Sequence, residues 1–224
     1  DRSSAASAVY KSQVNTSLDT LDPKVFHQIA RREGLQRTNE GIDAAIAAGF
    51  PSVKLNTLAI LGVTEKEVVQ LVNFALQRGV MLRFIEFMPL DSDQAWDTGR
   101  VLSGDNLLAI LREHFGQVAA IPRAEPSQPA EEFRVGEGRV GIIRSVTAPF
   151  CGPCNRLRIT ADGAVRNCLF AQSETPIRDL MRSGASDEQL FEEIRRCVSL
   201  KQAAHGIDEE GFVPPTRPMH SIGG

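Results

Sequence analysis

"SVKLNTLAILGVTEKEVVQLVNFALQRGVMLRFIEFMPL", residues 52–90, decides the class of fold. "SVKLNTLAI" alternates apolar and polar residues and is rich in strand formers. "TEKEVVQLVNFALQRG" reads as a helix that begins at a Thr64 cap, carries Glu67 in the capping-box position and ends at Gly79. "VMLRFIEFMPL" reads as the next strand. Strand, helix, strand with short connections is the pattern of parallel βαβ units. Working outward toward the amino terminus, "LQRTNEGIDAAIAAGF" predicts a helix ending at Gly49. Before it, "QVNTSLDT" predicts a strand entering a loop, and Pro23 opens a helix capped by Asp22. The expected class is therefore α/β.

Residues 1–13, "DRSSAASAVYKSQ", are small and polar without a period and are expected to form a disordered arm. The chain opens at Asp1 with neither a Met nor a basic-then-apolar leader, which reads as a processed or truncated start and gives no support for secretion. Of 224 residues 42% are hydrophobic, enough for a substantial core, and the longest apolar run, "VVQLVNFAL", is interrupted by Gln70 and Asn73, so no membrane span is expected. The formal net charge of −3 argues against a nucleic-acid partner, so any anion must be captured by local cations.

A parallel sheet places its ligand sites at the carboxyl ends of the strands. Ser17, Lys54, Arg83 and Met88 lie on or just after the expected strands. Each also has a plain structural reading, as turn residue, solvated edge, surface ion pair and core, respectively. Toward the carboxyl terminus, "SGDNLLAILREHFG" is a capped amphipathic helix, and the Pro-rich "IPRAEPSQPAEEF" predicts a boundary, with a linker over residues 122–132. Beyond it, "RVGIIRSVT" and "NRLRITADGAVRN" read as antiparallel strands, the second folding back at Asp162-Gly163.

Three of the four cysteines, Cys151, Cys154 and Cys168, fall inside "CGPCNRLRITADGAVRNC". Such clustering suits metal binding in a reducing compartment better than a disulfide framework. Three thiolates without an obvious fourth ligand suit neither a closed zinc site nor an iron–sulfur cluster decisively. Cys197 follows Leu190 and Ile194 on an apolar helix stripe and is expected in the core, while His205 and His220 have no ligand spacing. Arg156 and Arg158, two apart on an expected strand, would project together, and guanidinium forks match phosphate oxygens. With Arg166 against only Asp162, the segment carries a local positive excess.

"PFCGPCNRLRITADGAVRNCLF", with "VNTSLDTLDP", "VKLNTLAILGV", "LRFIEFMPL", "RDLMRSGASDEQL" and the terminal "RPMHSIGG", closely resembles the GTP 3′,8-cyclase family of molybdenum cofactor biosynthesis, lyases of the radical S-adenosylmethionine class. The resemblance runs from about residue 14 to the end. It implies that residues 14–121 are the later half of a partial (β/α)₆ radical-SAM barrel, and that residues 133–224 form an antiparallel β/α subdomain carrying an iron–sulfur site. It implies that Cys151, Cys154 and Cys168 hold a 4Fe–4S cluster whose open iron takes the guanine of GTP. By the same resemblance Arg156, Leu157 and Arg158, with Lys54 and Arg83, hold the nucleotide, Ser17 and Met88 contact S-adenosylmethionine, and Gly223 and Gly224 form a tail reaching the site. The implied reaction converts GTP to (8S)-3′,8-cyclo-7,8-dihydroguanosine 5′-triphosphate, with a second 4Fe–4S cluster generating the radical from S-adenosylmethionine.

The family's amino-terminal CxxxCxxC motif for that second cluster does not occur in these residues, all four cysteines lying at or beyond position 151. The chain therefore resembles the carboxyl-terminal two-thirds of the enzyme, no catalytic residue is assigned in it, and it is expected to be inactive alone. The alternative is a non-catalytic iron–sulfur or zinc module binding a nucleotide or a partner protein. Expected partners are GTP, S-adenosylmethionine, a second copy in a homodimer, and the missing amino-terminal half or the downstream cyclic pyranopterin synthase. The expected setting is a bacterial cytoplasm or an organellar matrix, with neither nucleic acid nor membrane as partner.

Overall fold

The computed structural model describes residues 13–90, 96–207, 209 and 211–222. Its contacts divide the chain into two units, residues 1–87 with 99–147, and residues 88–98 with 148–224. Among the described residues no helix is long and apolar enough to cross a membrane.

The first unit is a mixed six-stranded sheet covered by helices. Strands β1 (Gln13–Ser17), β2 (Ser52–Ala59) and β3 (Met81–Glu86) pair in parallel, and β6 (Gly138–Ile143) continues the parallel set on the far side of β3. Strands β5 (Glu131–Val135) and β4 (Val118–Ile121) extend it antiparallel, giving the order β1-β2-β3-β6-β5-β4. Helices α1 (Pro23–Ala30), α2 (Leu35–Ala47), α3 (Val68–Gln77) and α4 (Gly104–Phe115) lie between the strands in sequence. Period-two alternation sends Leu55, Leu82, Phe84 and Ile142 to one face of the sheet, where they pack with Leu71, Leu107 and Leu111 in a core from which water is excluded. Full burial of each such side chain is worth ~1.5–3 kcal/mol.

Local signals act where the sequence places them at two helix starts. Asp22 accepts hydrogen bonds from the backbone of Lys24 and Val25, and Ser103 from that of Asn106. The capping box expected at Thr64 and Glu67 is not formed. Residues Thr64–Lys66 make a 3₁₀ turn, and the α-helix begins only at Val68. Buried Thr64 instead donates its hydroxyl to the Leu58 carbonyl at 2.5 Å, and Glu67 accepts from Thr20 Oγ1 at 2.5 Å and Leu21 N at 2.7 Å. Tertiary partners outcompete the local cap because they satisfy donors that the fold would otherwise bury.

The boundary expected at residues 122–132 also moves. Residues 122–130 of that Pro-rich stretch connect β4 and β5 inside the first unit, Glu131 and Glu132 already belong to β5, and "RVGIIRSVT" supplies β6 of the main sheet rather than a strand of the later subdomain. Composition marked a loop correctly, but a strand on either side of a loop can belong to one sheet. Gln13, counted in the expected arm of residues 1–13, pairs with Ser52 in β1, and residues 1–12 lie outside the described ones.

The second unit has little regular structure. Strands β7 (Arg158–Ile159) and β8 (Val165–Arg166) form a short antiparallel hairpin, followed by helices α5 (Ile177–Arg182) and α6 (Asp187–Ser199) and a 3₁₀ turn at Met219–Ser221. Ser186 and Gln189 make a reciprocal capping box at the start of α6.

Candidate functional site

The face of the first unit's sheet opposite the core carries a polar patch among apolar residues such as Leu58 and Ile85. Register places Asn15 beside Lys54, Ser17 beside Asn56, and Asn56 beside Arg83, so side chains of these five residues share that face. Arg83 donates Nε to Asn56 Oδ1 at 2.9 Å and Nη2 to Asn15 Oδ1 at 2.8 Å. Burial pushes the Arg83 guanidinium pKa down, opposed by the nearby Glu132 carboxylate. Room for its stem comes from Gly141 on β6, where a Cβ would sit 3.0 Å from Arg83 Cγ and 2.9 Å from Met81 Cε. Three residues expected to meet ligands, Ser17, Lys54 and Arg83, thus occur on one sheet face. The asparagines that orient Arg83 were not singled out from sequence, although they share its parity with Lys54 and Ser17. A groove of about 690 Å³ in this unit, lined by Leu21, Asp22, Gln28, Lys66 and Gln70 among others, contains none of the expected ligand residues.

The other expected residues belong to the second unit. Met88 is half-buried, its carbonyl closing a tight turn with Leu90 N at 2.8 Å. The cysteine segment starts with a turn in which Cys154 N donates to Cys151 O at 3.0 Å. The chain then enters β7, turns through Asp162-Gly163 and returns in β8, Arg158 pairing with Arg166 and Ile159 with Val165. Gly163 has φ +83° and an added Cβ would lie 2.4 Å from Arg178 Cβ, so both conformation and space exclude other residues there. Arg156 lies ahead of the strand rather than in it. Its guanidinium sits 4.8 Å from the centre of the Phe150 ring and donates Nε to Cys154 Sγ at 3.2 Å. Arg158 is half-buried, and burial first, then repulsion from Arg156, push its pKa down. Leu157 between them is exposed.

Arg166 does not add to the accessible positive charge. It is buried, ion-paired with Glu174 and hydrogen-bonded to the Ala171 carbonyl. Glu174 also accepts from Arg217 at 2.8 Å, and Arg217 in turn reaches Asp162 at 3.1 Å and the Ser221 carbonyl at 2.9 Å. Two arginines opposite each other on a hairpin repel, and Glu174 pairs with one of them, Arg166, while Arg156, Arg158 and Lys201 lie near the thiols. Hydrogen bonds from Thr160 and Arg217 hold the Asp162 carboxyl at about 2.

Cys151, Cys154 and Cys168 are free and half-buried, whereas Cys197 is buried on α6 with its thiol 3.9 Å from the Val165 carbonyl. Each of the first three meets an N–H. Phe170 N donates to Cys168 Sγ at 3.4 Å, the main chain of His205 favours the Cys151 thiolate, and Arg156 favours that of Cys154. Burial nonetheless raises the Cys151 pKa, aided by the charge of Cys168. At Cys154 burial is outweighed by Arg156, with Lys201 contributing, and the pKa falls. N–H bonds to sulfur and nearby cations are what thiolate-held iron–sulfur centres use, so the donor set fits one. Among the described residues no group of three or more His, Cys, Asp or Glu is placed to hold a metal ion. His205 packs its ring 4.7 Å from Phe170 and accepts from Ile207 N. Gly223 and Gly224 lie outside the described residues.

A family model described as Molybdenum Cofactor Synthesis C matches residues 80–207, which include all three clustered cysteines, Arg156 and Arg158. A protein of Rhodopirellula baltica named GTP 3′,8-cyclase is 60% identical over 216 residues, 95% of this chain and 60% of that protein. Proteins of the same name from Corynebacterium glutamicum and Streptomyces coelicolor are 43% and 42% identical over 95% of this chain, covering 58% and 63% of their own lengths. The chain spans about three fifths of the curated relatives it matches.

Proposed function

The chain belongs to the Molybdenum Cofactor Synthesis C family, and on that premise we propose that it is the carboxyl-terminal part of a GTP 3′,8-cyclase, the part that binds GTP. The observation that carries the reading is the close association of three half-buried thiols with Arg156 and Arg158, in a protein whose net charge is negative. Cys151, Cys154 and Cys168 would hold a 4Fe–4S cluster, and such a cluster, having three protein ligands, supplies an iron open to a base nitrogen. Arg156 and Arg158 would take the triphosphate, because guanidinium groups next to the thiols can hold anionic oxygens while the base lies toward sulfur. Lys54 and Arg83 on the polar sheet face would add cations for the nucleotide, and Ser17 and Met88 would bind S-adenosylmethionine. Gly223 and Gly224 would close the site as a tail. In this reading the polar sheet face is the inner wall of a partial radical-SAM barrel.

The test is anaerobic reconstitution, analysis of iron, sulfide and zinc, and titration of GTP into wild type, Arg158→Ala and Arg158→Lys. Iron and sulfide near four per chain and a weakening of roughly ten- to a hundredfold for Arg158→Ala are expected, since charge-assisted hydrogen bonds are worth ~1.5–3 kcal/mol. Lysine keeps the charge and loses the fork, so it should rescue only in part. Equal dissociation constants with a lowered thermal midpoint would make Arg158 a structural residue and overturn the nucleotide reading. Zinc without sulfide would favour a non-catalytic metal module.

A further inference from the structure

The hairpin ladder stops short of the cysteines. Its last paired residues are Arg158 and Arg166, whereas Cys154 and Cys168 lie beyond them on the two arms. One side chain spans those arms. Lys201, just past the end of α6, donates its ammonium to the Arg156 carbonyl at 2.9 Å and to the Asn167 carbonyl at 2.5 Å. Asn167 immediately precedes Cys168, and Arg156 follows Cys154 by two residues. Asn167 is tied to the same helix through Nδ2 and the Cys197 carbonyl at 2.9 Å. A small cavity of about 80 Å³ lined by Cys154, Arg156, Asn167 and Lys201, among others, adjoins this bridge.

We propose that Lys201 is a positioning residue for the metal site: it replaces the missing ladder hydrogen bonds, ties together the arms carrying Cys154 and Cys168, and places a fixed positive charge beside the thiolates. The inference rests on the reading that these cysteines hold an iron–sulfur cluster. An ammonium has three donors and no acceptor, so it can bridge two carbonyls at once. Three thiolates gathered at one centre repel, and a half-buried cation nearby is less screened than one on the surface. Net charge around a cluster sets its reduction potential, so the same lysine should stabilise the reduced state.

Lys201→Met removes the bridge and the charge, while Lys201→Gln keeps N–H donors and removes only the charge. Wild type and both variants are to be reconstituted anaerobically and compared for iron and sulfide per chain, cluster reduction potential and thermal midpoint. The expected result is a severalfold lower cluster content in Lys201→Met, substantial recovery in Lys201→Gln, and a more negative potential in both. Equal loading at one potential in all three overturns the proposal. So does loss of the native thermal transition in both variants, which would make Lys201 a residue of the fold alone. A wild-type chain that takes up neither iron nor sulfide overturns the cysteine reading and this inference with it, and is told apart from the other outcomes by wild type alone.

Discussion

The two units of the chain are stabilised by different means. In the first, twenty-two buried apolar residues among the described ones form one cluster between sheet and helices. In the second, strands of two residues each are joined by turns, and Ile159, Met181, Phe191, Leu200 and Val213 stay exposed. Beside a small buried apolar set that includes Val165, Phe170, Ile207 and Ile222, it carries a series of ion pairs through Arg166, Glu174, Arg217 and Asp162, of which Arg166 is buried. The contrast teaches that a unit of short strands can add ion pairs to a small apolar core as a constraint on its fold.

The strongest way to test the comparison is to remove apolar volume where it is densest. Phe84→Ala in the centre of β3, fully buried, should destabilise the sheet-and-helix unit by about 3–5 kcal/mol, read from the urea transition in far-UV circular dichroism. A loss under 1 kcal/mol would mean that the core is not what holds this unit.

Glu174→Ala comes next and probes the other side of the contrast. It leaves Arg166 buried without its partner, and breaking such a pair costs about 3–5 kcal/mol at most, less here because Glu174 is 20% exposed. The effect should appear in the second unit, as faster limited proteolysis between β8 and α5. Unchanged cleavage there would remove charge from the account of that unit.

The mildest expectation is a pH effect at Asp162. Its folded pKa of about 2 lies below the ordinary 3.8, so its contribution to stability is present above pH 4 and is lost as pH falls through 2. Carboxyl carbon NMR should find a midpoint near 2 in wild type, shifted upward in Arg217→Gln but not fully to 3.8, because the Thr160 contribution remains. A midpoint already near 3.8 in wild type would dissolve the Arg217–Asp162 link.

Much of the first unit was legible because its signals are periodic or local. Alternation gave β1, β2 and β3, and Asp22 and Ser103 cap as their side chains dictate. The failures have one cause. Glu67 matches a local motif but bonds to Thr20 and Leu21, distant in sequence, and β6 was assigned to the wrong unit because its partner β3 precedes two intervening strands. In the candidate site, cysteine spacing and the Asp162-Gly163 turn could be read directly. The partners that set its charge could not, since Glu174, Arg217 and Lys201 resemble ordinary surface residues until the fold brings them to the hairpin. A lysine just beyond a helix end was the one available hint for Lys201.

The placement of β6 between β3 and β5 has a consequence for the chain while it is being made. Synthesis delivers β3, then α4, β4 and β5, before the strand that pairs with β3 on its outer side. Until residues 138–143 emerge from the ribosome, β3 presents an unpaired edge, and Val140 and Ile142 are missing from the core that surrounds Phe84. The nascent polypeptide therefore passes through an interval in which an apolar strand is open to pairing with a neighbouring chain. Closing that interval requires a long-range search, Leu82 finding Val140, whereas the β5–β6 hairpin forms by local contact at Val135 and Gly138.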